Sequence, residues 1–136
     1  MKTLILFYSY SGKTKAIAQE LIEKKSADMV EIKDVKRPVK LKAYTAGILA
    51  AIRGKAWPIQ PLDVDWSAYE SLVLLAPVWA DNPAPPMNTV LEMLPPEKNI
   101  SIKMVSMSGK SDCRARLEEA IIARACTLVD FEDIKA

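Results

Sequence analysis

Three stretches of the chain hold residue types that could do chemistry. The first, Ser9-Tyr10-Ser11-Gly12-Lys13-Thr14, offers three Ser/Thr hydroxyls, one glycine and one lysine just after a run of apolar residues. Hydroxyl donors and free backbone N–H groups at the start of a helix can hold a phosphate dianion without a metal. The same composition also suits a plain Ser/Gly turn that caps a helix, and the loop alone does not separate the two readings. Gly12-Lys13-Thr14 is not a nucleotide P-loop, because that motif needs a glycine at the place of Phe7. Ser108-Gly109-Lys110-Ser111 fails at Met104 in the same way, and no GxGxxG occurs. Tyr8-Ser9-Tyr10 stands where a phosphorylated receiver domain would need paired acids, which argues against one.

The second stretch, Pro77-Val78-Trp79-Ala80-Asp81-Asn82-Pro83-Ala84-Pro85-Pro86, reads as a proline-stiffened loop that presents a tryptophan. A flat ring offered there suits stacking on a planar heterocycle, although a packing role fits it too. The third runs over residues 106–113 and contains Ser108, Gly109 and Lys110.

Composition narrows what these loops could catalyse. The 136 residues include no histidine, which excludes Ser-His-Asp and Cys-His catalysis. The two cysteines, Cys113 and Cys126, lack the CxxC spacing of a zinc site and read as small core or surface residues. Chemistry at this site is therefore expected from a cofactor. A net charge of +2 with scattered lysines gives no nucleic-acid signature. No apolar run approaches the roughly 20 residues that span a bilayer, so no membrane partner is expected. The opening residues 1–7 read as a buried strand rather than a secretion leader, and a cytoplasmic location follows by default.

The elements that must position the three stretches follow from periodicity. Residues 4–8 and 71–76 are continuous apolar runs, as expected of central parallel strands buried on both faces. Residues 29–35 alternate like a half-buried edge strand, while 100–107 and a short 127–131 complete five strands. Between them, residues 13–25, 41–53, 87–94 and 114–125 repeat at helical spacing, with Leu41, Tyr44, Ile48 and Ile52 forming the apolar face of the second. Strands alternating with helices predict an α/β domain over residues 1–136 with a parallel sheet. In such sheets ligands bind beyond the carboxyl ends of the strands, where all three stretches fall.

Together the three stretches resemble the flavin-binding loops of the flavodoxin family. Residues 9–14 are similar to its phosphate loop, Pro77-Val78-Trp79-Ala80 followed by Pro83-Ala84-Pro85 to its flavin-facing loop, and Ser106-Met107-Ser108-Gly109 to its third loop. Residues 43–62 resemble the helix and proline-rich stretch before the family's third strand. Asp81 stands where many relatives have glycine, and Lys110 interrupts a loop often written with two glycines.

The resemblance implies a flavodoxin-like three-layer sandwich with a five-stranded parallel sheet of order 2-1-3-4-5, from which the sequence departs in showing no obvious final helix after residues 127–131. It implies noncovalent flavin mononucleotide (FMN), with the phosphate held by Ser9, Ser11, Gly12 and Thr14 and by backbone of Tyr10 and Lys13. Trp79 would stack on the isoalloxazine, Pro77, Val78 and Ala80 would shape its edge, and Ser108, Gly109 and Lys110 would offer backbone donors to its pyrimidine side. Electron transfer between redox partner proteins is the function so implied. The alternatives are an FMN-dependent NAD(P)H:quinone-type reductase and a flavin-free interaction protein of the same shape. Right-handed crossovers put the first helix alone on one sheet face. A bare apolar patch beside it would favour a homodimer, unless Ser101 and Lys103 make that face polar.

Overall fold

The computed structural model describes residues 2–136. Strand β1 (Lys2–Tyr8) leads through residues 9–12 into helix α1 (Lys13–Lys24) and strand β2 (Ala27–Ile32). A short α2 (Lys40–Lys42), a π-helical turn (Ala43–Gly47) and α3 (Ile48–Ile52) form one nearly continuous helical segment. After a 3-10 turn (Trp66–Ala68) come β3 (Tyr69–Trp79), the two-residue β4 (Asn82–Pro83), α4 (Pro85–Met93), β5 (Asn99–Ser106), α5 (Arg114–Ala123) and β6 (Thr127–Lys135). The main sheet runs β2-β1-β3-β5-β6 with every pair parallel, and β4 folds back antiparallel on the end of β3. With β4 set aside, this is the expected order 2-1-3-4-5. No helix follows β6 among the described residues.

The pleat of the central strands divides the core in two. Leu4, Leu6 and Tyr8 of β1 point with Leu72, Leu74 and Ala76 of β3 towards α4 and α5, where Met87, Val90, Leu91, Leu117 and Ile121 meet them. Ile5 and Phe7 point the other way with Val73 and Leu75, and α1 covers them with Ala18, Ile17, Leu21 and Ile22. Burying each such side chain is worth about 1.5–3 kcal/mol, which explains why β1 and β3 read as uninterrupted apolar runs.

Three expectations need correction. The last strand extends to Lys135, because the parallel ladder with β5 continues from Lys103↔Glu132 to Ser106↔Lys135. The α1 side of the sheet is not left apolar and bare: Val73, Leu75 and Val105 are buried, with Ile134 packed against them. Beyond them Lys103 is itself buried, its Nζ 2.6 Å from Glu132 and 3.9 Å from Asp130. Polar Lys103 thus occupies the place of an exposed apolar patch. The third correction concerns residues 41–53, whose buried face is Ala43, Gly47 and Ala51, while Leu41, Tyr44 and Ile52 face solvent. The reason is distance: a Cβ on Gly47 would lie 2.8 Å from Cζ3 of Trp79, so only small residues fit against that ring.

Candidate functional site

All three stretches lie at the carboxyl edge of the sheet, after β1, β3 and β5 respectively. Residues 9–12 turn sharply into α1. Gly12 has φ +100°, a conformation that favours glycine, and its N–H donates to Ser9 Oγ at 3.0 Å. The helix has no side-chain cap, and its first turn closes only with Ala16 N–H donating to Gly12 O. The N–H groups of Tyr10, Ser11, Lys13 and Thr14 consequently have no acceptor among the described residues. Ser11, Gly12 and Lys13 are exposed, whereas Thr14 is buried beneath them. Such a helix start carries unpaired donors and partial positive charge, the arrangement that binds an anion.

Beside this loop opens a cleft of about 470 Å³, lined by Tyr10, Ser11, Val78, Trp79 and Ala80 on the sheet side. Lys40, Ala43, Tyr44 and Ile48 of the helical segment complete its lining, next to the contact of Trp79 with Gly47. The volume lies within the roughly 300–1,000 Å³ of typical small-molecule sites. Trp79 belongs to β3 rather than to a loop, since the strand persists through Pro77 and Val78. Its ring stands edge-on to Tyr10, with centroids 5.7 Å apart at 82°, and edge-on to Tyr8 at 6.4 Å and 78°. Tyr10 is braced in turn: its hydroxyl donates to Pro38 O at 2.8 Å, and Arg37 lies 4.3 Å over its ring while donating to Tyr10 O at 2.8 Å. The aromatic wall is thereby braced by contacts from Tyr8, Pro38 and Arg37.

The tip of the β3–β4 hairpin is a two-residue turn in which both Ala80 (φ 49°) and Asp81 (φ 65°) adopt left-handed conformations. Two-residue hairpins select this turn because its twist matches the strands, and Asn or Gly would occupy it with less strain. Pro83, Pro85 and Pro86 are buried, and Pro85 and Pro86 open α4, where a missing N–H does no harm.

The third loop differs from expectation. The amides of Gly109 and Lys110 do not face the cleft as free donors; both donate to Ser106 Oγ, at 2.9 and 3.2 Å. Gly109 has φ +72°, and a Cβ there would lie 2.9 Å from Lys135 Cβ, so the loop is tied down on the end of β6. It does reach the hairpin, through Asp112 N–H donating to Asp81 O at 3.2 Å. Just behind it, Cys113 is buried and its thiol pKa is raised by that burial, while Ser111 donates to Asp133 at 2.6 Å.

On the β2 side a smaller cavity of about 290 Å³ adjoins the first loop, lined by Ser9, Glu31, Asp34 and Gln60 among others. Tyr8 donates its hydroxyl to Asp34 Oδ2 at 2.7 Å, and Asp34 Oδ1 is buried without a partner. Burial raises the pKa of both groups, and for Tyr8 the hydrogen bond to Asp34 adds to it. The sequence alone assigns no site role to Asp34 or to Lys40, Ala43, Tyr44 and Ile48 of the helical segment. The available signal for the segment was the small-residue spacing Ala43, Gly47, Ala51. No group of three or more metal-ligating side chains occurs among the described residues.

No protein-family model matches the sequence, and no curated protein does; likeness is found among solved structures. A flavoprotein from Lactobacillus acidophilus NCFM, solved in complex with FMN, superimposes with a TM-score of 0.72 at 23% identity, covering 96% of this chain and 91% of that one. Its apo form, solved by NMR, gives 0.71 at 25% identity over 97% and 92%. Oxidised flavodoxin 1 from Bacillus cereus gives 0.57 at 15% identity over 99% and 84%. The strand order and these superpositions agree, and the chain has the flavodoxin-like fold.

Proposed function

We propose that this protein binds one FMN noncovalently in the cleft that Tyr10, Trp79 and Ala80 line together with Lys40, Tyr44 and Ile48, and passes electrons between redox partner proteins. The observation that carries the reading is the juxtaposition of unpaired amides at the start of α1 with an apolar aromatic cleft of suitable volume. A phosphate and a flat heterocycle on one molecule satisfy both halves of that site. The solved relative that contains FMN supports the choice of cofactor.

In this reading Ser9, Ser11 and Thr14 and the free amides of Tyr10, Ser11, Lys13 and Thr14 hold the phosphate, while Lys13 adds positive charge. Trp79, fixed by Tyr8, Tyr10 and Gly47, offers its ring to the flavin, and Val78, Ala80 and Pro77 shape the edge of the cleft. Ser108 lies on the third loop, and for Gly109 and Lys110 to donate to a ligand the loop must release Ser106 Oγ. Bound FMN would supply the one- and two-electron redox chemistry, so the protein needs no acid or base of its own.

Titration calorimetry with FMN and riboflavin tests this. Stoichiometric uptake of FMN with clear preference over riboflavin is expected, and a colourless protein that takes up neither defeats the proposal. A second reading, reduction of a small quinone, draws on the extension of the cleft to Lys40 and Tyr44, which leaves a wall for a substrate. Steady-state turnover with a nicotinamide donor and a quinone would select it over electron carriage.

A further inference from the structure

The helical segment of residues 40–52 is amphipathic in an inverted sense. Its small residues, Ala43, Gly47 and Ala51, face the domain, and its large ones face water: Leu41 is 75% exposed, Tyr44 71%, Ile52 54% and Leu49 45%. Val35 and Val39, just before it, are exposed as well. Six large apolar side chains within 18 residues are too concentrated to be the scattered apolar exposure of an ordinary surface.

Charge is concentrated on the same stretch, which corrects the expectation of scattered lysines. Residues 33–55 contain seven lysines and arginines and a single acid, Asp34, a net +6 within a chain of +2, so the rest of the molecule carries −4. Lys36, Lys40, Lys42, Arg53 and Lys55 are all exposed among the apolar residues. Val35, Lys36 and Lys42 border one shallow depression with Trp57, which joins the loop after β2 to the helix as one surface.

We propose that this surface docks the protein on an anionic lipid bilayer, with Leu41, Leu49 and Ile52 entering the headgroup boundary and the surrounding lysines and arginines meeting lipid phosphates and carboxylates. Protruding apolar side chains ringed by basic ones are what an interfacial helix presents to such a surface. The charge division orients the molecule, because the −4 remainder is repelled by the lipid that attracts the +6 face. A second copy fits less well, since a two-fold contact through this patch would oppose +6 to +6. An acidic protein fits less well because the apolar side chains stand out from a convex helix and would need a matching groove. The expectation of no membrane partner rests on the lack of a spanning segment. Among the described residues no helix is long and apolar enough to cross a membrane, but surface docking needs none. The inference does not depend on FMN.

The test is co-sedimentation of the full chain with phosphatidylcholine vesicles with and without phosphatidylserine, beside light scattering and retention on immobilised polyglutamate. Binding to the phosphatidylserine vesicles alone, weakened by salt, is expected. The double variant Leu41→Asn, Ile52→Asn and the double variant Lys36→Glu, Arg53→Glu should each lower the partition coefficient by about tenfold or more. All four positions are exposed, so thermal melting should be unchanged, and the charge variant gives an independent arm if the apolar one folds poorly. No binding to anionic vesicles, equal binding to neutral ones, or parental binding by both folded variants overturns the proposal. So does a doubled mass that Leu41→Asn, Ile52→Asn abolishes without vesicle binding, which assigns the patch to self-association. Polyglutamate retention without vesicle binding also overturns it, and assigns the patch to an acidic protein.

Discussion

The first and third loops sit on the same sheet edge and treat their polar atoms in opposite ways. After β1, four amides at the start of α1 stay unpaired, and the neighbouring Asp34 Oδ1 is buried without a donor. After β5, Ser106 Oγ takes the amides of Gly109 and Lys110, and Ser111 is spent on Asp133. Unpaired backbone donors are costly unless solvent or a ligand meets them, so the first loop is arranged for an occupant. The third is stable as it stands and must exchange hydrogen bonds to take part.

The strongest way to break this contrast is Gly12→Val. At φ +100° a β-branched residue is strained, and since no atom lies within 4 Å of a Cβ there, the side chain would project into open space at the anion site. FMN affinity should fall about ten- to hundredfold, as expected for roughly 1.4–2.8 kcal/mol. Riboflavin, which lacks the phosphate, should lose less, and calorimetry with both ligands decides. Equal losses would show that the first loop does not hold the phosphate.

Ser106→Ala probes the other loop. It removes the acceptor of two amides and should lower stability by about 1–2 kcal/mol in chemical denaturation. FMN affinity should change less than about threefold, because the freed amides become available to the ligand as the loop loosens. A large loss of affinity with unchanged stability would mean that the closed loop is itself the binding conformation.

Asp34→Asn sharpens the comparison through pH. Burial raises the Asp34 pKa in the folded state, so the folded protein holds this proton at pH values where the unfolded chain has released it. That contribution to stability is present below the ordinary carboxylate range and is lost as pH rises through the raised pKa. Denaturation midpoints of parent and variant should diverge in the variant's favour across that window and then run parallel. A constant difference from pH 4 to 8 would contradict the assignment.

The smallest effect belongs to the hairpin between the loops. Ala80→Gly relieves a left-handed alanine and should add about 0.5–1 kcal/mol to stability, after the greater flexibility of unfolded glycine is subtracted. Thermal unfolding checks it, and a loss of stability would place the turn's strain elsewhere.

By itself the sequence determined the parallel sheet and the location of the three loops. Both-face burial of β1 and β3 forces unbroken apolar runs, and a strand-to-helix turn requires a residue such as Gly12, so these features are written in local composition. Tertiary structure alone decided which face of residues 40–52 is buried. Periodicity marks two faces, one with Leu41, Tyr44 and Ile52 and one with Ala43, Gly47 and Ala51, and hydrophobicity favours the wrong one. The close approach of the Trp79 ring to Gly47 selects small residues, and that contact joins positions 32 apart in the chain. The same holds for Ser106, whose hydroxyl could be read as a ligand donor until the fold places it as the acceptor that closes its own loop. Hydrogen-bond satisfaction depends on where the chain ends up in space, and a residue's type only states how many bonds it can make.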